Sequence, residues 1–151
     1  MSSFKRKLAK SPQAPELLQP ETGAYYSVQF YKGYALLKVL ALDVDRKGTP
    51  TTVHTCLYCR TFDTRPVEIS ASGLFLSAEE SRGQDMTPDA IMRRMLEEQG
   101  TYRHRQFTYE GFLTWKPVFI ASGTLTEAEL KAYRFYLEFD EDDEEYYCRR
   151  W

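Results

Sequence analysis

The chain has 151 residues, with 20 Lys and Arg against 22 Asp and Glu, a formal net charge of −2, and 15% of its residues are aromatic. This length suits one domain with a single core rather than two domains. The longest apolar stretch, Tyr34 to Leu42, is far shorter than the roughly 20 residues that span a bilayer, so no membrane helix is predicted.

The first 22 residues are predicted to form a flexible basic arm. They hold three prolines and four cations, Lys5, Arg6, Lys7 and Lys10, but few apolar side chains. Such a segment buries too little surface to offset the entropy of ordering it. It also lacks the apolar centre of a secretory signal. Together with the odd number of cysteines, three, this favours a reducing, cytoplasmic location.

Three antiparallel strands are predicted after the arm. The alternation from Ala24 to Tyr31 is typical of a half-buried strand. Tyr34 to Val44 is apolar on both faces and is predicted to be the central strand, followed by a third strand near Thr51 to Cys59. Short apolar segments at Val67 to Ile69 and Leu74 to Leu76 are predicted to extend the sheet. The two predicted faces of the central strand hold Leu36, Leu40 and Leu42, and Leu37, Val39 and Ala41, respectively.

Lys38 interrupts the apolar central strand. A lysine in such a position is either a buried functional amine or a residue that extends its ammonium to water from a partly wet face. We expect the second arrangement here.

Helical signals dominate the second half of the chain. Thr87 as the cap, Pro88 at the first position and Gly100 at the end predict one short amphipathic helix. A turn of helix is predicted after Thr108, followed by a strand at 118–120. Thr126 and Glu129 form a capping box, so the last helix is predicted from Glu127 onward. Its predicted buried stripe consists of Leu130, Tyr133 and Leu137.

These elements predict an α+β fold. The short, curved strands favour a strongly bent antiparallel sheet or a small SH3-like barrel of about five strands. Two or three helices accompany the sheet, the last of them C-terminal. The predicted organisation is a single domain over residues 23–139, between the basic arm and a C-terminal tail of residues 140–151.

His54, Cys56 and Cys59 form the one motif that suggests metal or thiol chemistry. Positions i and i+3 of a strand point to opposite faces, so the two sulfurs are expected to diverge. A zinc site needs a second pair of ligands, and only His104 and Cys148 remain. We therefore predict no metal site, no cofactor and no catalytic residue. A metal-binding or thiol enzyme centred on these three residues is the alternative function.

The segment from Tyr102 to Phe107 alternates cations with aromatic residues, a pattern that can stack on and neutralise nucleic acid. The acidic net charge and the carboxylates near the C-terminus repel phosphate. Nucleic acid is therefore not the partner that we expect.

Six consecutive carboxylates, residues 140–145, follow the last helix. Carboxylates are unfavourable at a helix C-terminus, which already carries partial negative charge. The tail either aids solubility or binds a cationic protein, and its aromatic residues favour binding. The candidate partner-binding residues are Glu138, Asp140, Glu141, Asp142, Asp143, Glu144, Glu145, Tyr146, Tyr147 and Trp151.

The order of GAYYSVQF, GYALLKVLAL, LYCRTFDTRP and WKPVFI, followed by LTEAELKAY, resembles small bacterial strand-rich proteins that end in such a helix. Some immunity proteins of bacterial toxin systems have a similar pattern. The resemblance covers residues 23 to about 138 and implies a non-catalytic protein-binding domain, such as an immunity or inhibitor protein. A second alternative is an oligomer-forming module, in which the basic arm of one copy meets the acidic tail of another.

Overall fold

The computed structural model describes residues 20–70, Leu74 and residues 86–138. Within these ranges the chain forms five strands and three helices, which confirms the predicted α+β class. The elements are β1 (Tyr25–Phe30), β2 (Gly33–Val44), β3 (Pro50–Phe62), α1 (Pro88–Gln99), β4 (Tyr102–Thr108), α2 (Tyr109–Thr114), β5 (Val118–Ala121) and α3 (Glu127–Leu137).

The five strands form one antiparallel sheet in the order β4-β3-β2-β1-β5. β2 is central, as predicted, because its apolar residues on both faces suit a position between two layers. β4 and β5 are the two edges, so the sheet is open and strongly bent rather than closed into a barrel.

A β-bulge at Leu40 determines which way the end of β2 faces. Val39 pairs with Thr55 and Ala41 with His54, so Leu40 is an inserted residue. An inserted residue reverses the side-chain alternation beyond it. Leu42 therefore packs in the same cluster as Val39, and its predicted place beside Leu40 is wrong.

The sheet has a hydrophobic core on each face. One is covered by α1 and α3 and the other by α2. As a consequence β1 is buried on both faces over residues 25–28, rather than half-buried as predicted. The first core contains Tyr25, Leu36, Leu40, Cys56, Tyr58, Leu74, Ile91, Met92, Met95, Leu96, Tyr102, Tyr133 and Tyr136. The second contains Ala24, Tyr26, Val28, Ala35, Leu37, Val39, Val53, Leu57, Phe107 and Phe112.

The caps predicted for the helices are confirmed. The Thr87 hydroxyl accepts a hydrogen bond at the start of α1, and both bonds of the capping box are present in α3. The buried stripe of α3 differs from the prediction, because Tyr136 turns inward toward β4 whereas Leu137 is 47% exposed.

The predicted strands at 67–69 and 74–76 are wrong for the residues that are described. Residues 67–69 are irregular, Val67 is 79% exposed and Leu74 is helical. β4 takes the place of such a strand at the edge beside β3. β4 was not predicted as a strand. In its sequence, YRHRQFT, Arg103 and Arg105 alternate with residues that face α3.

Residues 1–19 and 139–151 lie outside the described ranges, and with them most of the predicted arm and the whole predicted tail. Pro20, at the end of the predicted arm, is buried, and the Glu21 backbone donates a hydrogen bond to the Tyr26 hydroxyl. In the described part of the chain, the helices are all too short or too polar to cross a membrane.

Candidate functional site

Lys38 lies in the middle of β2 with its side chain only 1% exposed. It pairs with Tyr25 of β1 and Cys56 of β3, so it belongs to the sheet face that packs against α1 and α3. The expectation that its ammonium reaches water is wrong. Carboxylates contributed by two helices meet it inside the protein instead.

The Lys38 ammonium has three protons, and acceptor groups of three residues surround it. Its Nζ donates to Asp89 Oδ1 at 3.1 Å, to Glu129 Oε2 at 2.9 Å and to the Thr124 carbonyl at 2.6 Å. The ring of Tyr25 lies 5.0 Å from Nζ. A buried charge without such partners would be strongly unfavourable, and these contacts compensate the loss of water.

Asp89 accepts four hydrogen bonds in the polar cluster that Tyr25, Lys38, Asp89, Thr124 and Glu129 form. It accepts hydrogen bonds from the Tyr25 hydroxyl at 2.6 Å and from Thr124, through its backbone N–H at 2.7 Å and its hydroxyl at 2.9 Å. Burial opposes ionisation, but these bonds and Lys38 outweigh it and hold the pKa of Asp89 below its ordinary value. Burial, reinforced by Asp89, raises the pKa of Tyr25, which stays a neutral donor.

Local sequence explains how each carboxylate reaches Lys38. Asp89 is in the first turn of α1, and Glu129 closes the capping box in the first turn of α3. Helix N-termini favour negative charge. The backbone at Gly123 packs closely here, because a Cβ on this residue would lie 2.5 Å from Asp89 Oδ1 and 2.7 Å from the Gly23 carbonyl oxygen.

A cavity of about 400 Å³ lies beside the polar cluster, between the sheet, α1 and α3. Both the polar cluster and apolar side chains of the first core line it. The lining residues are Tyr25, Lys38, Tyr58, Asp89, Met92, Arg93, Leu96, Glu97, Thr126, Ala128 and Glu129.

His54 joins the sheet to α3 at another point. Its Nδ1 contacts the Tyr133 hydroxyl, and its Nε2 lies 2.9 Å from Asp43 Oδ2. Burial, reinforced by the neighbouring Tyr136 phenol and the Asp43 carboxylate, raises the pKa of Tyr133, so this phenol keeps its proton and can donate to Nδ1. This arrangement assigns His54 a role in holding α3.

Cys56 is fully buried in the core under α1 and α3, whereas Cys59 is partly exposed. Burial raises the pKa of the Cys56 thiol and disfavours the thiolate that thiol chemistry requires. No group of three or more His, Cys, Asp and Glu residues in the described ranges is arranged to hold a metal ion.

The segment from Tyr102 to Phe107 is divided between the two faces of the sheet. Tyr102 and His104 turn toward α1 and α3, and His104 packs against the rings of Tyr133 and Tyr136. On the other face, the Arg105 guanidinium lies 4.7 Å from the ring of Trp115. The aromatic residues of this segment are therefore divided, with Tyr102 and His104 on one face and Phe107, whose ring lies 5.1 Å from the Arg105 guanidinium, on the other.

Of the predicted partner-binding residues, the structure describes Glu138, the exposed C-cap of α3. Asp140 to Tyr147 and Trp151 lie outside the described residues. The cluster of Lys38, Asp89 and Glu129 was not predicted. Its signals were present separately, as a lysine in an apolar strand and two carboxylates in first helical turns, but no local pattern connects them.

Comparisons of the chain with protein-family models, with curated proteins and with solved structures give no match. The resemblance to bacterial immunity proteins therefore stays a prediction.

Proposed function

We propose that the chain is a non-catalytic bacterial protein-binding domain that engages a basic partner through the end of α3 and the acidic segment after it. The outward face of α3 carries this proposal. Lys131 and Phe135 lie one turn apart on one helical face and are both exposed, Phe135 by 51%. Aromatic side chains are enriched in the cores of protein interfaces.

The charge at the end of the chain supports a basic partner. Glu138 ends α3, and six carboxylates follow at residues 140–145. The partial negative charge of the helix C-terminus disfavours them, so a cationic surface supplies the missing countercharge. Such a surface also accelerates encounter by electrostatic steering, which weakens as salt is added.

The polar cluster supports a binding rather than a catalytic role. The three protons of Lys38 are directed at Asp89, Glu129 and the Thr124 carbonyl, which makes this amine an anchor for two helices. The buried thiol of Cys56 lies in apolar surroundings. In the described part of the chain, no contact favours the metal or thiol enzyme, or the oligomer-forming module, over protein binding.

The resemblance in sequence gives this proposal a more specific form. An immunity or inhibitor protein covers a functional surface of its target. Here the covering surface would combine Phe135, which is about half exposed, and the exposed Glu138 with the carboxylates that follow. The target is then a toxin or enzyme with a basic surface.

The test begins with affinity capture from the host by the full chain, followed by identification of the captured proteins. A purified basic partner is then titrated with the full chain and three variants. Replacing residues 140–145 by their amides should slow association about tenfold and remove most of its salt dependence. Phe135→Ala should weaken binding by about tenfold, as expected for one central aromatic contact.

Lys131→Ala is the matched control on the same helix face and should change the dissociation constant by less than about threefold. The proposal is wrong if the captured partners are not basic. It is equally wrong if both the amide variant and Phe135→Ala bind a basic partner as tightly and as fast as the original chain.

A further inference from the structure

We infer that the cavity between the sheet, α1 and α3 is a binding site for a small organic cation, an amine or guanidine with an apolar body. This site is separate from the proposed protein-binding surface. Ala128 and Glu129 line the cavity at the start of α3, whereas Phe135 lies near the end of that helix.

The walls suit an apolar body. The rings of Tyr25 and Tyr58, which line the cavity, stack with centroids 6.3 Å apart, and Met92 and Leu96 of α1 also line it. The cavity of about 400 Å³ is within the range of small-molecule sites, which combine apolar walls with a few convergent polar groups. The convergent polar groups here are those around Lys38.

The charges that line the cavity select a cation. In the polar cluster the single ammonium of Lys38 faces two carboxylates, Asp89 and Glu129, which leaves a net charge of −1. Arg93 and Glu97, which also line the cavity, are exposed and carry opposite charges. The Lys38 ammonium directs its protons to acceptors of the protein, so it does not present a free site for an anion. A ligand carboxylate would raise the negative charge in surroundings of low dielectric, and a ligand ammonium would cancel it.

Glu129 supplies the receiving atom. Its Oε1 accepts from the Thr126 backbone at 2.8 Å and from the Thr126 hydroxyl at 3.2 Å, and also lies 3.1 Å from Lys38 Nζ. Within the described residues, Oε2 accepts from Lys38 only, at 2.9 Å. A carboxylate oxygen has two lone pairs, so Oε2 retains one for a ligand N–H.

Three probes with the same body and different charge test the site on the full chain: 2-phenylethylamine, 2-phenylethanol and 3-phenylpropionate. Binding is followed by protein NMR shifts during titration. The amine should bind at least about tenfold more tightly than either other probe, a difference of about 1.4 kcal/mol. Equal binding of the three probes, or no binding of the amine, would overturn the inference.

Substitutions at two pairs of exposed positions test whether the amine binds in this cavity. Ala128→Trp, at the cavity, should weaken amine binding by more than about tenfold, and Lys131→Trp on the same helix should leave it within about twofold. Glu97 lines the cavity and Glu98 does not. Glu97→Gln should therefore weaken amine binding about threefold, whereas Glu98→Gln should leave amine binding unchanged. If Ala128→Trp and Glu97→Gln bind the amine as the original chain does, the amine is not in this cavity.

Discussion

The ammonium of Lys38 on β2 lies 2.9 Å from the carboxylate of Glu129 on α3, although 91 positions separate the two residues in the chain. The same ammonium reaches Asp89 on α1 at 3.1 Å. One buried lysine thus attaches the first turns of two helices to the centre of the sheet. A cavity of about 400 Å³ lies beside the polar cluster and is lined by residues of both helices.

Replacing Lys38 by Met should lower the free energy of unfolding by about 3 to 5 kcal/mol, since it leaves Asp89 and Glu129 without their countercharge. Urea denaturation measures the change. The matched variant Lys131→Met, at an exposed position, should stay within about 0.5 kcal/mol of the original chain.

Neutralising the two carboxylates in the Lys38→Met background, by Asp89→Asn and Glu129→Gln, should restore part of the lost stability. The amides remove the uncompensated charge, and Gln still serves in a capping box. Lys38→Met with the stability of the original chain would show that the cluster contributes nothing to the attachment of the helices.

His104 should make the fold less stable as the pH falls below neutrality. Burial lowers the pKa of His104 from 6.5 to about 4. Between these values the unfolded chain binds a proton that the folded chain does not, so stability rises with pH through this window. The contribution of His104 should be about 2 kcal/mol smaller at pH 5 than at pH 7.

The measurement is the NMR titration of the His104 ring in the folded protein, together with urea unfolding at pH 5 and pH 7. In His104→Phe, which suits the ring contacts with Tyr133 and Tyr136, the loss of stability between pH 7 and pH 5 should be smaller by that amount. A ring that titrates near 6.5 in the folded chain would contradict this prediction.

Cys56 should react with thiol reagents at least roughly tenfold more slowly than Cys59, because its thiol is buried and its pKa is raised. Single-cysteine variants, with the other two cysteines changed to Ser, separate the rates. In urea the two thiols should react alike. Fast reaction of Cys56 in the folded protein would revive the thiol enzyme as a function.

Gly23 and Gly48 form a matched pair for a test of close backbone packing. Both have positive φ, +90° and +84°, so Ala should cost about 1 to 2 kcal/mol at either position. A Cβ on Gly23 would also lie 2.6 Å from the Gly123 carbonyl oxygen, whereas one on Gly48 has nothing within 4 Å. Gly23→Ala should therefore be more destabilising by at least about 1 kcal/mol in urea unfolding.

Local signals predicted much of the fold. The capping residues Thr87, Thr126 and Glu129 each act within one helical turn, and the two apolar faces of β2 place it at the centre of the sheet. β4 was not predicted, because Arg103 and Arg105 alternate along it with residues that are buried only when α3 packs over them. The face of the sheet on which Leu42 lies depends on the bulge at Leu40, and no pattern in the sequence predicted that bulge.

The candidate site was less accessible to prediction. The sequence shows Lys38 as a charged residue in an apolar strand. Whether the ammonium of such a lysine reaches water depends on which elements pack over that face of the sheet. Asp89 and Glu129 each had a sufficient local explanation as residues of a first helical turn. Their second role, as ion-pair partners of Lys38, requires α1 and α3 to pack against β2, and no periodicity in the sequence predicts that packing.

The amino-acid sequence by itself determined the central strand, the helix starts and the segregation of acidic residues toward the C-terminus, because these depend on periodicity, capping and charge within a few neighbouring positions. Only the tertiary structure decided that Lys38 is enclosed between Asp89 and Glu129, with a cavity beside them. Burial and ion pairing are properties of segments that meet in space, so they are determined once the sheet, α1 and α3 have packed together.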